Sequence, residues 1–318
     1  MNSGFDRRAI PGSAVESRWT ARDGFLIRRI DWPGAAPHAP RGSILFMPGR
    51  GDCYEKYLET LDYWHSQGWR VTAADWRWQA GSGRYGADPL AGDVRDFSVW
   101  VEDLAALWQD WVRTTPGPHV LAGHSMGGHL VLRTIAENRV NPDAVILSAP
   151  MLGFHTPLPQ SWQSAFGRLM CRIGDPGRMA WKVSEKPGAS ARGRQLLLTH
   201  DANRYDDEVW WRGARPELAM GPATWRWVES AARSLDGLNA PGVLEAVTVP
   251  MLIVATRFDG LVSWKAIARA AARLPHVQLV SFGREAAHEL LREADGVRNK
   301  VLESIDSFLD RAVPGAQG

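Results

Sequence analysis

Ser125 stands in a stretch whose residue types fit nucleophilic chemistry. The stretch Gly123-His124-Ser125-Met126-Gly127 follows the apolar run HVLA and leads into an amphipathic helical pattern, so the serine lies where a strand turns into a helix. Such a turn lifts a serine hydroxyl clear of the backbone, and the two glycines let strand and helix approach closely. The N–H groups of the helix N-terminus would then face a developing oxyanion. The alternative is an ordinary glycine-rich turn, which the pattern alone does not separate from a nucleophile.

A serine hydroxyl is a weak nucleophile at neutral pH, so this chemistry requires a base and an acid that orients it. At a strand-to-helix turn of this kind the expected chain order is serine, acid, histidine. Asp259 follows the apolar run MLIVATRF, and His288 follows VQLVSFG by a short loop. Singly, such residues are more often turn, cap or surface groups. Together they predict a triad of Ser125, Asp259 and His288, whereas His276 precedes a strand and is assigned a structural role.

A developing oxyanion needs a second backbone donor besides the N–H of Met126. The loop PGRGD, which follows the apolar run SILFM, is where a sheet of this kind would supply that donor. Its glycines allow close approach, and we predict that the donor is the N–H of Arg50. The alternative is an ordinary glycine turn, with no role in the chemistry.

The elements that must position these residues are strands and helices in alternation. After an opening hairpin in SRWTARDGFLIRRIDW, six short apolar runs alternate with amphipathic helical patterns. Runs that are apolar on both faces are typical of parallel strands buried under helices. The sequence therefore predicts an α/β fold with a mostly parallel, doubly covered sheet. The six runs are SILFMPG, RVTAADW, HVLAGHS, AVILSAP, MLIVATRFD and VQLVSFG.

The strand rhythm is interrupted over residues 151–247, where helical stretches occur without a convincing strand. We predict that this segment is a helical cap inserted into a core domain formed by residues 1–150 and 248–318. Such a cap would lie over the carboxyl ends of the strands, where α/β sheets place their sites. Within it, HDANRYDDE (residues 200–208) lacks a metal-ligand spacing and is interpreted as a solvated loop.

Six tryptophans of the predicted cap allow two interpretations. In the first, they fill the core of a small helical layer. In the second, some of them line an acyl tunnel or contact a lipid surface, because aromatic and arginine residues interleave in VWWRGARPELAMGPATWRW. On the second interpretation we expect peripheral, reversible contact with a membrane surface. The six are Trp162, Trp181, Trp210, Trp211, Trp225 and Trp227.

Composition excludes several classes of protein. The 318 residues are 45% hydrophobic and 23% charged, which suffices for a large buried core. A net charge of +2 without a basic run argues against nucleic acid as a partner. Cys53 and Cys171 are too few and too far apart for a disulfide framework and are interpreted as buried thiols. Since there is no signal-peptide pattern and no apolar run of about 18 residues, we expect a cytoplasmic protein, associated with the inner membrane only peripherally.

Motifs along nearly the whole chain from about residue 40 resemble the α/β-hydrolases of the bacterial lysophospholipase and monoacylglycerol lipase branch. They include FMPGRGDCYEKY, AADWRWQAGSGR, GHSMGG, VPMLIVATRFDGLVS and EAAHELLREADGVRNKVLESIDSFL. The resemblance implies the α/β-hydrolase fold and a carboxylic ester hydrolase that releases fatty acids from single-chain lipids through an acyl-enzyme. It places Ser125, Asp259 and His288 at the triad positions and the N–H groups of Arg50 and Met126 at the oxyanion. It implies no metal and no organic cofactor.

Two departures from the pattern of this branch concern the substrate. Pro48-Gly49 stands where many relatives carry His-Gly, which favours the lysophospholipase side, and Trp78 in DWRWQAGS replaces a glycine of the relatives. A monoacylglycerol lipase or a general carboxylesterase remains the alternative, and a serine peptidase of the same fold is less favoured. A dehalogenase or epoxide hydrolase is disfavoured because those relatives carry aspartate at the elbow. The sequence sets no acyl chain length, headgroup or oligomeric state.

Overall fold

A mixed β-sheet runs through the computed structural model, which describes residues 4–34, 40–86, 88–156, 160–181 and 191–314. Its strands in these ranges are β1 Val15–Thr20, β2 Leu26–Trp32, β3 Gly42–Met47, β4 Trp69–Ala74, β5 His119–His124, β6 Ala144–Ser148, β7 Met251–Thr256 and β8 Val277–Phe282. They are ordered β1-β2-β4-β3-β5-β6-β7-β8 across the sheet. Strands β3 to β8 pair in parallel, while β2 is antiparallel to β1 and β4. The predicted hairpin and parallel sheet are confirmed.

Helices cover both faces of this sheet, as predicted. Every residue of β3, β6 and β7 is buried, which a sheet covered on one face would not allow. Helix α1 packs against β4, α3 against β5, α8 against β7 and β8, and α9 against β6 and β7. The helices of the described ranges are α1 Leu58–Ser66, α2 Ser98–Val112, α3 Met126–Ala136, α4 Gln160–Arg172, α5 Ala191–Leu198, α6 Ala202–Ala214, α7 Trp225–Leu238, α8 Trp264–Ala271 and α9 Asp295–Ala312.

Large aromatic side chains fill the core between the sheet and α2. Trp100, Leu104 and Trp111 recur at helical spacing on α2 and are buried. A buried indole N–H needs an acceptor. The Trp111 indole donates to Thr72 Oγ1 at 3.0 Å, and the Trp100 indole donates to the Arg77 carbonyl at 2.9 Å. Both of these buried indole N–H groups therefore have a hydrogen-bond acceptor within the apolar core.

The register of the parallel strands brings their carboxyl ends to one edge of the sheet. Met47 near the end of β3 pairs with Gly123, and His124 at the end of β5 pairs with Ser148. On the other side, Thr256 pairs with Phe282 at the ends of β7 and β8. The loops that follow β3, β5, β7 and β8 therefore emerge beside one another, at the edge where α/β sheets place their sites.

The segment between β6 and β7 is mainly helical in its described residues. It contains α4, α5, α6 and α7 and, among its described residues, no strand beyond isolated bridges such as Met179 to Thr224. Residues 157–159 and 182–190 of the predicted cap lie outside the described residues. None of the helices in the described ranges has both the length and the apolar character needed to cross a bilayer.

Two local predictions are wrong in this segment. HDANRYDDE is not a solvated loop, because α6 begins at Ala202 after an Asp201 cap that accepts from the Arg204 N–H. Arg204 is buried and ion-paired with Glu59 of the core at 2.9 Å, which draws this charged stretch onto the core. Cys53 is buried as predicted, but Cys171 is only partly so, because α4 exposes much of its surface.

Candidate active site

Ser125 lies in a tight turn between the last residue of β5 and the first residue of α3. Its backbone has φ +52°, a left-handed conformation that non-glycine residues rarely adopt. A Cβ on Gly127 would lie 2.3 Å from the Pro48 carbonyl oxygen, and one on Gly123 would lie 2.8 Å from the Gly127 backbone. Both positions therefore require glycine for close backbone approach, as the sequence predicts.

The side chains of Ser125, His288 and Asp259 form one hydrogen-bonded series. His288 Nε2 lies 2.9 Å from Ser125 Oγ, and His288 Nδ1 lies 2.7 Å from Asp259 Oδ2. The other carboxylate oxygen of Asp259 accepts the N–H groups of Leu261 at 2.8 Å and Val262 at 3.0 Å. Because that carboxylate accepts from Nδ1–H, the Nε2 of a neutral His288 is free to accept the serine proton.

Electrostatics at this series favour an ionised aspartate next to the imidazole. Burial raises the pKa of Asp259, but the nearby His288 and the hydrogen bonds to the carboxylate outweigh it and hold that pKa below its ordinary value. Burial lowers the pKa of His288, but Asp259, Glu289 and Asp52 outweigh it and raise that pKa above its ordinary value. The pair is therefore built to stabilise an imidazolium once it forms.

His124 packs against His288 and stays neutral. Its ring centroid lies 4.8 Å from that of His288, and its Nδ1 lies 3.1 Å from the Ser148 carbonyl, to which it must donate. Burial lowers the pKa of His124 to about 3, and the neighbouring His288 acts in the same direction. The residue therefore supplies a fixed, uncharged ring beside His288.

The loop after β3 lies against Ser125, where the second oxyanion donor was predicted. A Cβ at Gly49 would lie 3.1 Å from the Cβ of Ser125. The Gly49 N–H donates to Asp52 at 3.1 Å and the Gly51 N–H donates to Gln79 at 2.9 Å, so both neighbours of Arg50 are held by side chains. Arg50 lines the same pocket as Ser125 and Met126, the first residue of α3.

Apolar and charged side chains both line this pocket, and we call these two sets of residues its apolar wall and its charged wall. The empty volume is about 720 Å³ with the mouth included. The β6–β7 segment contributes to both walls. The charged residues of the lining are Arg50, Asp52, Lys56, Arg194 and Glu289. The apolar residues are Met126, Met151, Phe154, Trp181, Leu198, Trp227, Leu261 and Val262. Such a pocket suits a substrate with an apolar chain and a polar end.

The charged wall is the part of the site that sequence reasoning missed. The Lys56 side chain is 2% exposed, and its Nζ contacts Asp52, Glu289 at 2.5 Å and Glu208 at 3.1 Å. Only the i, i+4 spacing of Asp52 and Lys56 hints at it in the sequence, because Glu208 and Glu289 are remote in the chain. Asp52, His124 and Glu289 place possible metal-ligand atoms within 4.8 Å of one another, but Lys56 already supplies the cation to both carboxylates.

Comparison with known proteins assigns the chain to a family. A family model described as serine aminopeptidase, S33, matches residues 38–295. The chain belongs to this α/β-hydrolase family. Lysophospholipase L2 of Escherichia coli (strain K12) is 30% identical over 93% of this chain and 87% of its own length. Monoacylglycerol lipase of Mycolicibacterium smegmatis is 25% identical over 85% and 88% of the two chains.

Solved structures support the same fold. A soluble variant of monoglyceride lipase from Saccharomyces cerevisiae has a TM-score of 0.73 at 18% identity, over 98% of this chain and 99% of that one. A carboxyl esterase from Bacillus coagulans has a TM-score of 0.70 at 15% identity, over 95% and 100%. The resemblance stated from the sequence motifs, and the α/β-hydrolase fold that it implied, are confirmed.

Trp78, which replaces a glycine of the relatives, keeps the backbone conformation of a glycine in its loop. Its backbone has φ +64°, a conformation that favours glycine. The ring packs against Tyr85 at 4.8 Å and Phe25 at 6.1 Å between centroids, on the side of the N-terminal hairpin. The next residue, Gln79, accepts the Gly51 N–H. The loop thus keeps a left-handed residue and supports the loop after β3.

Proposed function

We propose that this chain is a serine carboxylic ester hydrolase of the lysophospholipase type, which releases a fatty acid from single-chain lipids. The observation that carries the proposal is the Ser125, His288 and Asp259 series beside a pocket with apolar and charged walls. The names of the relatives support it, since lysophospholipases and monoacylglycerol lipases act on esters of one acyl chain.

The proposed mechanism has two acyl-transfer steps. Ser125 Oγ attacks the ester carbonyl while its proton passes to His288 Nε2, and the N–H groups of Arg50 and Met126 stabilise the oxyanion. The tetrahedral intermediate collapses to an acyl-serine as His288 returns the proton to the leaving alcohol. Water then attacks the acyl-serine with His288 as base, which releases the fatty acid and restores Ser125.

The β6–β7 segment acts as a cap in this proposal. It contributes Phe154, Trp181, Arg194, Leu198 and Trp227 to the pocket that contains Ser125. Its α5 is tied to the proposed base, because the carbonyls of residues 197 and 198 accept the N–H groups of residues 288 and 289. The cap therefore shapes the acyl site and helps to fix the His288 loop.

A peptidase of the same fold is the weaker alternative. An aminopeptidase needs a carboxylate that can receive the ammonium group of its substrate. Among the described residues of the pocket wall, Asp52 and Glu289 are the carboxylates, and both are occupied by Lys56. A monoacylglycerol lipase or general carboxylesterase would use the same apolar wall, so the substrate panel must separate these.

The test is release of fatty acid from lysophosphatidylcholine, a monoacylglycerol of the same chain and p-nitrophenyl butyrate, together with an aminoacyl p-nitroanilide. Wild type and Ser125→Ala are compared, with folding checked by circular dichroism. We expect Ser125-dependent release that is fastest from the lysophospholipid. Faster turnover of the monoacylglycerol or of the short ester alone would assign those activities instead, and turnover of the anilide alone would overturn the ester proposal.

We also propose that the cap contacts a lipid surface through α4. Trp162, Phe166 and Leu169 of α4 and Ile173 directly after it recur at helical spacing and are 46–68% exposed. Trp211 and Trp227 of the interleaved stretch are instead buried. The α4 sequence contains arginines but no acidic residue, so this face would be attracted to anionic lipid. In a flotation assay, the wild type should be recovered with vesicles that contain phosphatidylglycerol. Equal recovery of Trp162→Ser/Phe166→Ser with the vesicles would contradict the contact.

A further inference from the structure

The buried ammonium of Lys56 lies where three segments around the candidate active site meet. Lys56 belongs to the short 3-10 turn Tyr54–Tyr57, and its side chain is 2% exposed. It is ion-paired with Asp52 of the loop after β3, with Glu289 of the His288 loop at 2.5 Å and with Glu208 of α6 at 3.1 Å. The proposed mechanism uses none of these charged groups directly.

Asp52 connects Lys56 to the loop that holds the proposed oxyanion donor. While one carboxylate oxygen of Asp52 contacts Lys56, the other accepts the Gly49 N–H at 3.1 Å and the Tyr57 hydroxyl at 2.8 Å. Gly49 immediately precedes Arg50. A change in the position of Asp52 would therefore move the backbone that carries the proposed oxyanion donor.

Glu289 connects the same ammonium to the proposed base. It is the residue after His288, it is 2% exposed, and it is also bound by Arg292. Glu208 brings the cap into the cluster and is itself paired with Arg194 at 2.6 Å. Lys56 therefore forms ion pairs with the loop after β3, which we call the oxyanion loop, with the His288 loop and with α6 of the cap.

We infer that Lys56 is a positioning residue, which holds the oxyanion loop and the His288 loop at their working separation; the inference rests on the proposed function. An ammonium suits this role because it has three donors and three carboxylates surround it. Removal of one partner from a buried ion pair leaves the other charges uncompensated, so the loops must rearrange.

Lys56 also balances the charge around the base. The polar and charged groups around His288 are Asp259, Ser125, His124, Asp52 and Glu289, and the cations Arg50, Lys56 and Arg194 line the same pocket. Asp52 and Glu289 favour the protonated imidazole, and Lys56 partly offsets them. Loss of the ammonium should therefore raise the pKa of His288 as well as loosen the two loops.

The test compares Lys56→Met, Lys56→Arg and the exposed-lysine control Lys265→Met on p-nitrophenyl butyrate. We expect Lys56→Met to lower kcat by about 100-fold, because small displacements of catalytic groups have effects of that size, with little change in KM. The acid limb of its kcat/KM profile should move to higher pH. Lys56→Arg should recover much of the loss, and Lys265→Met should behave as wild type.

Three outcomes would overturn the inference. In the first, Lys56→Met has the kcat and pH profile of the wild type. In the second, Lys56→Met changes KM alone. In the third, kcat falls equally in Lys56→Met and Lys56→Arg. If Lys56→Met does not fold, Glu289→Gln decides: it should lower kcat and move the acid limb to lower pH, and wild-type behaviour would overturn the inference. Absence of Ser125-dependent hydrolysis in the wild type would instead overturn the proposed function.

Discussion

The imidazole Nε2 of His288 lies 2.9 Å from the hydroxyl of Ser125, although 163 positions separate these residues in the chain. Parallel strands with aligned carboxyl ends bring this contact about, because β5 and β8 each deliver a loop to the same edge of the sheet. The reactivity of Ser125 in the proposed mechanism therefore depends on a residue in the loop after the last strand.

Asp259→Asn should lower kcat by about 10⁴-fold, since an amide in place of the carboxylate no longer fixes the Nδ1–H tautomer of His288. The substituted side chain has nearly the same shape, and the N–H groups of Leu261 and Val262 still find an oxygen acceptor. Thermal unfolding should therefore change little. Steady-state kinetics on p-nitrophenyl butyrate measures the effect, and a loss below tenfold would argue against the role of Asp259.

The pH profile of kcat/KM should rise through the pKa of His288, because only the neutral imidazole can accept the serine proton. Asp259 and the other nearby carboxylates raise that pKa, so the midpoint should lie above the ordinary value of 6.5. Kinetics between pH 5 and pH 9, as a rough working range, would locate it. Asp259→Asn should lower the midpoint, and a wild-type midpoint below the ordinary value would contradict the assignment.

Gly127→Ala should impair both stability and turnover. The new Cβ would lie within 2.4 Å of the carbonyl oxygens of Met47 and Pro48, so the loop after β3 must shift. We expect the free energy of unfolding to fall by about 1–3 kcal/mol, as in overpacked cores, and kcat to fall markedly. Gly296→Ala on α9 is the matched control, because its Cβ meets nothing within 4 Å. Equal behaviour of the two variants would refute the close approach.

His129 should make the fold sensitive to acid. Burial lowers its pKa to about 3, with a further contribution from Arg133, whereas the unfolded chain titrates near 6.5. Between these values the unfolded state binds the extra proton, so the free energy of unfolding falls as the pH falls. Between pH 6.5 and pH 5, the free energy of unfolding measured in urea should fall by about 2 kcal/mol less for His129→Leu than for wild type. Parallel losses in both proteins would exclude His129 as the cause.

The sequence by itself determined the secondary-structure elements and the residues that could take part in the proposed chemistry. Strand and helix periodicity is local, and it predicted the hairpin, the six parallel strands and the turn that holds Ser125. The order of Ser125, Asp259 and His288 could also be predicted, because each follows a strand directly or after a short loop, and parallel strands end at one edge. Gly127 could be inferred for the same reason, since a strand-to-helix turn has a fixed backbone geometry.

Only the tertiary structure decided how the charged residues are paired. Lys56, Glu208 and Glu289 are remote in the chain, and each is typical of a solvated surface until the fold buries them together. The same holds for the stretch after residue 200, where burial of Arg204 against Glu59 turned an expected solvated loop into a helix on the core. Periodicity reports which side chains avoid water, but the partner of a buried charge is set by packing between distant segments.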